Sequence, residues 1–206
     1  KFNVKFKNKT DTAVLLESIA INGLKNTLKK LEGMFAFALW DKKKESLYLA
    51  RDRFGEKPLF YYLNNNFLVF SSELKTIKKF FDNSKLEINN TSCNLFASLG
   101  YIPAPLTIHK NTFKVLPSEI IEIKNDKVIS NEKYWDVRKI NESSLTLNQN
   151  KIDLLLEDSV KKMMVADVEV GCFLSGGIDS SLVASLMQKN SIKKVKTFTI
   201  GFKEKQ

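Results

Sequence analysis

Ser175-Gly176-Gly177-Ile178-Asp179-Ser180-Ser181 is the stretch of this chain best equipped for chemistry. Two adjacent glycines let backbone N–H groups approach an anion closely, and a helix starting just after them adds unpaired donors and the positive end of its dipole. Ser175, Ser180 and Ser181 add hydroxyl donors. Asp179 is out of place beside phosphates unless it helps to hold a divalent cation or caps the helix. A plain strand-to-helix turn with a good cap would use one serine and one glycine. It does not call for three serines, two glycines and an aspartate together, so the stretch predicts a phosphate cradle for a nucleotide.

The elements that must position this cradle follow from periodicity. The apolar run Val168 to Leu174 reads as a strand leading in, and Leu182, Val183, Leu186 and Met187 mark an amphipathic helix leading out. Ile152, Leu155, Leu156, Ser159 and Val160 give an earlier helix, and Val195 to Ile200 a second strand. The pattern is βαβ, with a parallel sheet and a right-handed crossover. Residues 151–206 hold only two strands, which do not stand alone, so most of this domain is expected to lie beyond Gln206. Lys1 in place of methionine likewise suggests processing or a missing upstream part.

The first part of the chain has a different character. Phe2, Val4 and Phe6 alternate as in a strand, and Thr10-Asp11-Thr12 opens a helix that runs to Leu31 with a break at Asn22-Gly23. Taken alone, Asp11 reads as the N-cap. Gly33 to Trp40 reads as a buried strand paired with Ser46 to Ala50. Pro58 to Leu63 and Phe67 to Ser71 form a second hairpin across Asn64-Asn65-Asn66. A short helix from Ser72-Glu73 to Phe80 or Phe81, a helix over Leu95 to Tyr101, and a hairpin across Asn125-Asp126 follow. Antiparallel strands after a helix predict an α+β sandwich. Residues 136–150 are polar and read as a connection, giving domains 1–135 and 151–206. Arg51 to Lys57 is dense in charge and serves as a solvated loop or an interface.

The net charge of +10 is spread along the chain as lysine, with no basic stripe interleaved with aromatics, so a nucleic-acid partner is not expected. No apolar run approaches the roughly 20 residues that span a bilayer, and no signal-peptide core opens the chain. Cys93 and Cys172 lie far apart and lack metal-ligand spacing. Reduced thiols and the missing export signal make the cytoplasm the expected compartment.

With these residues in view, the chain resembles the glutamine-hydrolysing asparagine synthetases. Thr10-Asp11-Thr12, Gly33 to Ala38, Arg51 to Leu59, Ser71 to Lys75 and Tyr134-Trp135 resemble the glutaminase half; Ser175 to Ser181 and Thr197 to Phe202 resemble the start of the synthetase half. The cradle alone is shared by many ATP pyrophosphatases, whereas its combination with the upstream segments in this order is far more specific. The resemblance implies part of an N-terminal-nucleophile αββα sandwich, followed by the start of a parallel-sheet ATP-pyrophosphatase domain.

It also implies a chemistry. Asp11 would hold the glutamine α-ammonium, though Ala13 stands where the family commonly has glutamate. Phe173 and Ile200 would flank the adenine of ATP, and Ser175, Gly176, Gly177, Asp179, Ser180 and Ser181 its phosphates, with Mg²⁺ bridging them. Aspartate would be activated as β-aspartyl-AMP and amidated by ammonia; another carboxylate acceptor stays open as the alternative. Arg51 and Glu73 would couple the halves, and Phe35, Phe37 and Leu39 are candidates for lining an ammonia path that core packing explains equally well. The family's N-terminal cysteine nucleophile and Asn-Gly oxyanion site are not found in these residues, so the chain as given is not expected to hydrolyse glutamine. A homodimer is compatible with the resemblance.

Overall fold

The computed structural model describes residues 10–64, 66–81, 86–140 and 148–201. The strand expected over residues 1–6 lies outside them, as does Phe202. The chain divides into two compact units, residues 1–141 and 142–206, each considered by itself.

The first unit opens with α1 (Asp11–Asn22) and α2 (Leu24–Lys30), broken at Gly23, whose φ of 79° no helix accommodates. The strands β1 (Ala36–Asp41), β2 (Ser46–Arg51), β3 (Phe60–Leu63) and β4 (Leu68–Ser71) follow, then α3 (Leu74–Phe80) and α4 (Asn90–Leu99). The strands β5 (Thr112–Lys114), β6 (Glu119–Lys124) and β7 (Lys127–Lys133) complete the unit. All strand pairs are antiparallel, in two sheets ordered β1-β2-β6-β7 and β4-β3-β5.

Side-chain alternation sets the layering, because successive residues of a strand face opposite ways. Leu49 of β2 and Ile121 and Ile123 of β6 pack with Leu59, Tyr61 and Val115, joining the two sheets face to face. Tyr48, Ala50 and Ile120, one residue out of step, pack instead on Leu28 of α2. On the second sheet Tyr61 faces inward, while Tyr62 packs on Ile77 of α3 and Leu86. Helices, sheet, sheet, helix is the αββα order the sequence led us to expect.

The first unit also differs from the sequence reading. β1 begins at Ala36, and as an edge strand it is only half-buried, with Trp40 54% exposed, so Gly33 to Trp40 is not a buried strand. α4 starts at Asn90, five residues before Leu95, because Asn89 caps it by accepting the Ser92 amide N–H. The four strands of the two early hairpins are divided between separate sheets, and β5 enters the second sheet from a segment without an apolar run.

The second unit holds α5 (Gln149–Met163), β8 (Gly171–Phe173), α6 (Ile178–Lys189) and β9 (Lys196–Phe198). β8 and β9 pair in parallel with α6 between them in the chain, the expected βαβ order. Both strands are shorter than the runs Val168 to Leu174 and Val195 to Ile200, because only three residues of each find a ladder partner. Gly171 sits where a Cβ would lie 2.8 Å from the Lys196 carbonyl and 2.8 Å from the Phe198 ring. Gly171→Ala is therefore expected to cost about 1–3 kcal/mol and open this pair. Faster hydrogen exchange at the Leu174 amide, which donates to Phe198 O at 2.8 Å, checks it; unchanged exchange refutes it.

Candidate functional site

Each unit presents one candidate. In the first, a cleft of about 680 Å³ is lined by Asp11, Thr12, Phe35, Phe37, Lys57 and Ser72, among others. Asp11 and Glu32 both line it, and Asp11 stands at the start of α1. Thr10, not Asp11, is the N-cap: its hydroxyl accepts the Ala13 N–H at 3.3 Å, and Asp11 is the first helical residue. Capping geometry explains the correction, since the cap needs extended backbone and Thr10 has φ −108°, ψ 150°. Asp11 is exposed, and its Oδ1 accepts the Thr12 N–H at 2.7 Å. Among the described residues Oδ2 meets no donor, so one carboxylate oxygen remains for a ligand. A cation there would gain a charge-assisted hydrogen bond. Neither cysteine lines this cleft.

Phe35 and Phe37 stack at 5.7 Å and pack on the cluster beneath α2, as Leu39 does. Arg51 is spent within its own unit: Nε donates to Lys57 O at 2.7 Å, Nη1 to Val115 O at 2.7 Å and Nη2 to Gly55 O at 2.6 Å. Glu73 pairs with Lys75 at 2.6 Å on the surface, where such a bridge contributes little.

The residue that sequence reading missed is Asp52. It is 1% exposed, and four backbone N–H groups, from Phe35, Phe54, Glu56 and Lys57, donate to its carboxylate. Burial pushes this carboxyl up, but the four donors outweigh burial and hold it below the usual carboxylate range. The readable signal was Asp52-Arg53-Phe54-Gly55, since an aspartate accepting the N–H two residues on is an Asx turn.

In the second unit the Ser175–Ser181 stretch forms a turn between β8 and α6. Gly176 has φ 84°, the left-handed region that favours glycine, and Gly177 is the N-cap of α6 with no side chain to fill the helix end. The first-turn amides thus keep no side-chain acceptor, which excludes the plain turn with a good cap. Asp179 does not cap the helix; it sits in its first turn. Ser180 Oγ donates to Gly177 O at 3.1 Å, accepts the Ser175 N–H at 3.3 Å and lies 3.1 Å from Ser175 Oγ, so both hydroxyls face the same turn. Ser181 continues the helix through its N–H to Gly177 O at 3.1 Å. A Cβ on Gly176 would meet nothing within 4 Å, and one on Gly177 only Ser175 Oγ at 3.6 Å. The space beside both glycines is therefore open. Phe173 and Ile200 are 78% and 77% exposed, apolar groups on the surface of this unit.

This geometry fits a phosphate chain. Uncapped helix amides provide donors, and Asp179 is the one carboxylate in the first turn of α6, which suits Mg²⁺ held mainly by phosphates. Among the described residues, no cluster of three or more His, Cys, Asp or Glu could hold a metal by itself, and no helix is long and apolar enough to cross a membrane.

Comparison with known proteins places residues 1–135 in a match to the glutamine amidotransferase domain and residues 151–206 in a match to asparagine synthase. The whole chain is 40% identical to a candidate asparagine synthetase (glutamine-hydrolyzing) 2 of Methanocaldococcus jannaschii, covering 40% of that protein. It is 35% identical to asparagine synthetase (glutamine-hydrolyzing) 1 of Bacillus subtilis over 97% of the chain and 31% of the relative. The chain thus spans less than half the length of these relatives. Among solved structures, glutamine phosphoribosylpyrophosphate amidotransferase of B. subtilis aligns over 91% of this chain and 38% of its own at a TM-score of 0.42 and 19% identity.

Proposed function

We propose, from the premise that this chain belongs to the glutamine amidotransferase domain family through residues 1–135 and matches asparagine synthase over residues 151–206, that it is part of an enzyme making asparagine from aspartate, ATP and glutamine. The observation that carries the reading is the pairing of two unlike sites in one chain: a cleft with a carboxylate at its rim, and an uncapped glycine-serine turn at a helix start. The first suits the ammonium of an amino acid, the second the phosphates of a nucleotide.

Residues 1–135 form the glutaminase domain, 136–150 the linker and 151–206 the start of the ATP-binding domain. Asp11 holds the α-ammonium of glutamine. Ser175, Gly176, Gly177, Ser180 and Ser181 hold the β- and γ-phosphates, Phe173 and Ile200 flank the adenine, and Asp179 would help to hold Mg²⁺. Mg²⁺ neutralises charge on the phosphates when bound. The aspartate β-carboxylate oxygen attacks the α-phosphorus, and the bond to pyrophosphate breaks. The departing pyrophosphate gains its charge against the α6 amides, which are already oriented. Ammonia then attacks the acyl carbon and loses a proton as AMP leaves with the bonding pair. Arg51 and Glu73 are the residues we propose for coupling the two activities. A cytoplasmic homodimer is the assembly we propose.

Full-length protein given amide-¹⁵N glutamine, aspartate and MgATP should yield ¹⁵N-asparagine with one AMP and one pyrophosphate per amide. Release of ADP and phosphate, or amidation of a different carboxylate in preference to aspartate, would refute this function.

A further inference from the structure

Asp52 lies behind the Asp11 cleft and ties its walls together. Oδ1 accepts the N–H of Phe54 at 3.1 Å and of Glu56 at 2.9 Å; Oδ2 accepts Lys57 N–H at 2.9 Å and Phe35 N–H at 3.3 Å. Phe35 and Lys57 both line the cleft, yet they come from different segments, one leading into β1 and the other into β3. A single oxygen atom thus joins the two walls. The backbone repeats the link, since Asp52 N–H donates to Phe35 O at 2.9 Å. Arg51 gathers the carbonyls of Gly55 and Lys57 from the other side, so the loop's amides turn toward Asp52 and its carbonyls toward Arg51.

We propose that Asp52 is a positioning residue for the glutamine site, its Oδ2 holding Phe35 and Lys57 in register across the cleft so that the pocket is formed before glutamine arrives. This rests on the glutamine reading of the cleft given above. A carboxylate is required, because four N–H donors need acceptors on both oxygens. Asparagine would turn an NH₂ group toward two of those donors while changing almost no volume. The pocket would then loosen along one of its two ties.

The test titrates glutamine against the full-length protein as wild type, as Asp52→Asn, and as Ile123→Val, a mild core change that controls for lost stability. At a temperature where all three are folded, Asp52→Asn should raise KM for glutamine about tenfold or more, with kcat changed less, whereas Ile123→Val stays within about twofold. Equal KM in Asp52→Asn and wild type overturns the proposal. Absence of glutamine binding by the wild type refutes the glutamine reading itself, a failure visible without any variant. Hydrogen exchange on the wild type keeps the proposal open to refutation even if Asp52→Asn does not fold. Glutamine should slow the Phe35 and Lys57 amides together by about fivefold, and unchanged exchange at both overturns it.

Discussion

Asp11→Asn should weaken glutamine binding by about 10- to 100-fold while shifting the unfolding midpoint by no more than about 2 °C. Both effects follow from the cap lying at Thr10. Had Asp11 been the N-cap, its removal would have cost helix stability as well as ligand. The structure gives the cap to Thr10, whose hydroxyl accepts the Ala13 N–H at 3.3 Å, and leaves Asp11 one turn position inside the helix. Asparagine keeps the short bond to Thr12 N–H and loses only the charge, which is what an ammonium recognises. Stability should fall by the few tenths of a kcal/mol that a first-turn carboxylate contributes through the helix dipole. Thr10→Ala should do the opposite, costing about 1 kcal/mol of stability with glutamine affinity retained. Calorimetric titration and thermal unfolding of both variants separate the roles. An Asp11→Asn protein that binds glutamine as the wild type does would remove Asp11 from the site.

The features legible in the sequence were those with local causes. Asn22-Gly23 broke α1 from α2, because Gly23 adopts a φ of 79°. Asn125 and Asp126, at φ 49° and 54°, made the hairpin turn their types predict. The sandwich itself was readable because hairpins of apolar strands follow a helix, and such sheets need cover on their apolar faces. What escaped depended on distant partners. Asn90-Thr91-Ser92-Cys93-Asn94 has poor helix propensity, yet the segment is helical, because the Asn89 cap is joined by burial of Ser92 against the rest of the unit. β5 is three residues held by β3, a pairing no local pattern announces. Asp52 read as one more charge in a charged loop. Its importance lies in burial at the junction of segments that the sequence does not place together, and in the Tyr134 hydroxyl that donates to Arg51 O at 3.0 Å across 83 residues of chain. The glycine-serine turn was legible as a motif, but its missing cap was not.

Gly177→Ala should lower ATP affinity by about 10- to 100-fold without measurable loss of stability, and Gly176→Ala should reverse that pattern. The difference lies in what each glycine does. At Gly177 a Cβ meets only Ser175 Oγ at 3.6 Å, an ordinary contact, and the backbone at φ −76° suits any residue. The fold therefore has room for alanine there. A methyl group at the N-cap of α6 would occupy the space through which first-turn amides reach a phosphate, removing charge-assisted bonds one by one. At Gly176 a Cβ has open space around it, but φ 84° costs an L-residue about 1–2 kcal/mol wherever the turn is formed, with or without ligand. That cost falls on the turn itself, and nucleotide affinity drops only as far as the turn loosens. Titration with MgATP alongside thermal unfolding distinguishes the two. If Gly177→Ala bound ATP like the wild type, no phosphate would approach the start of α6, and the open helix end would have to be explained by something other than a nucleotide.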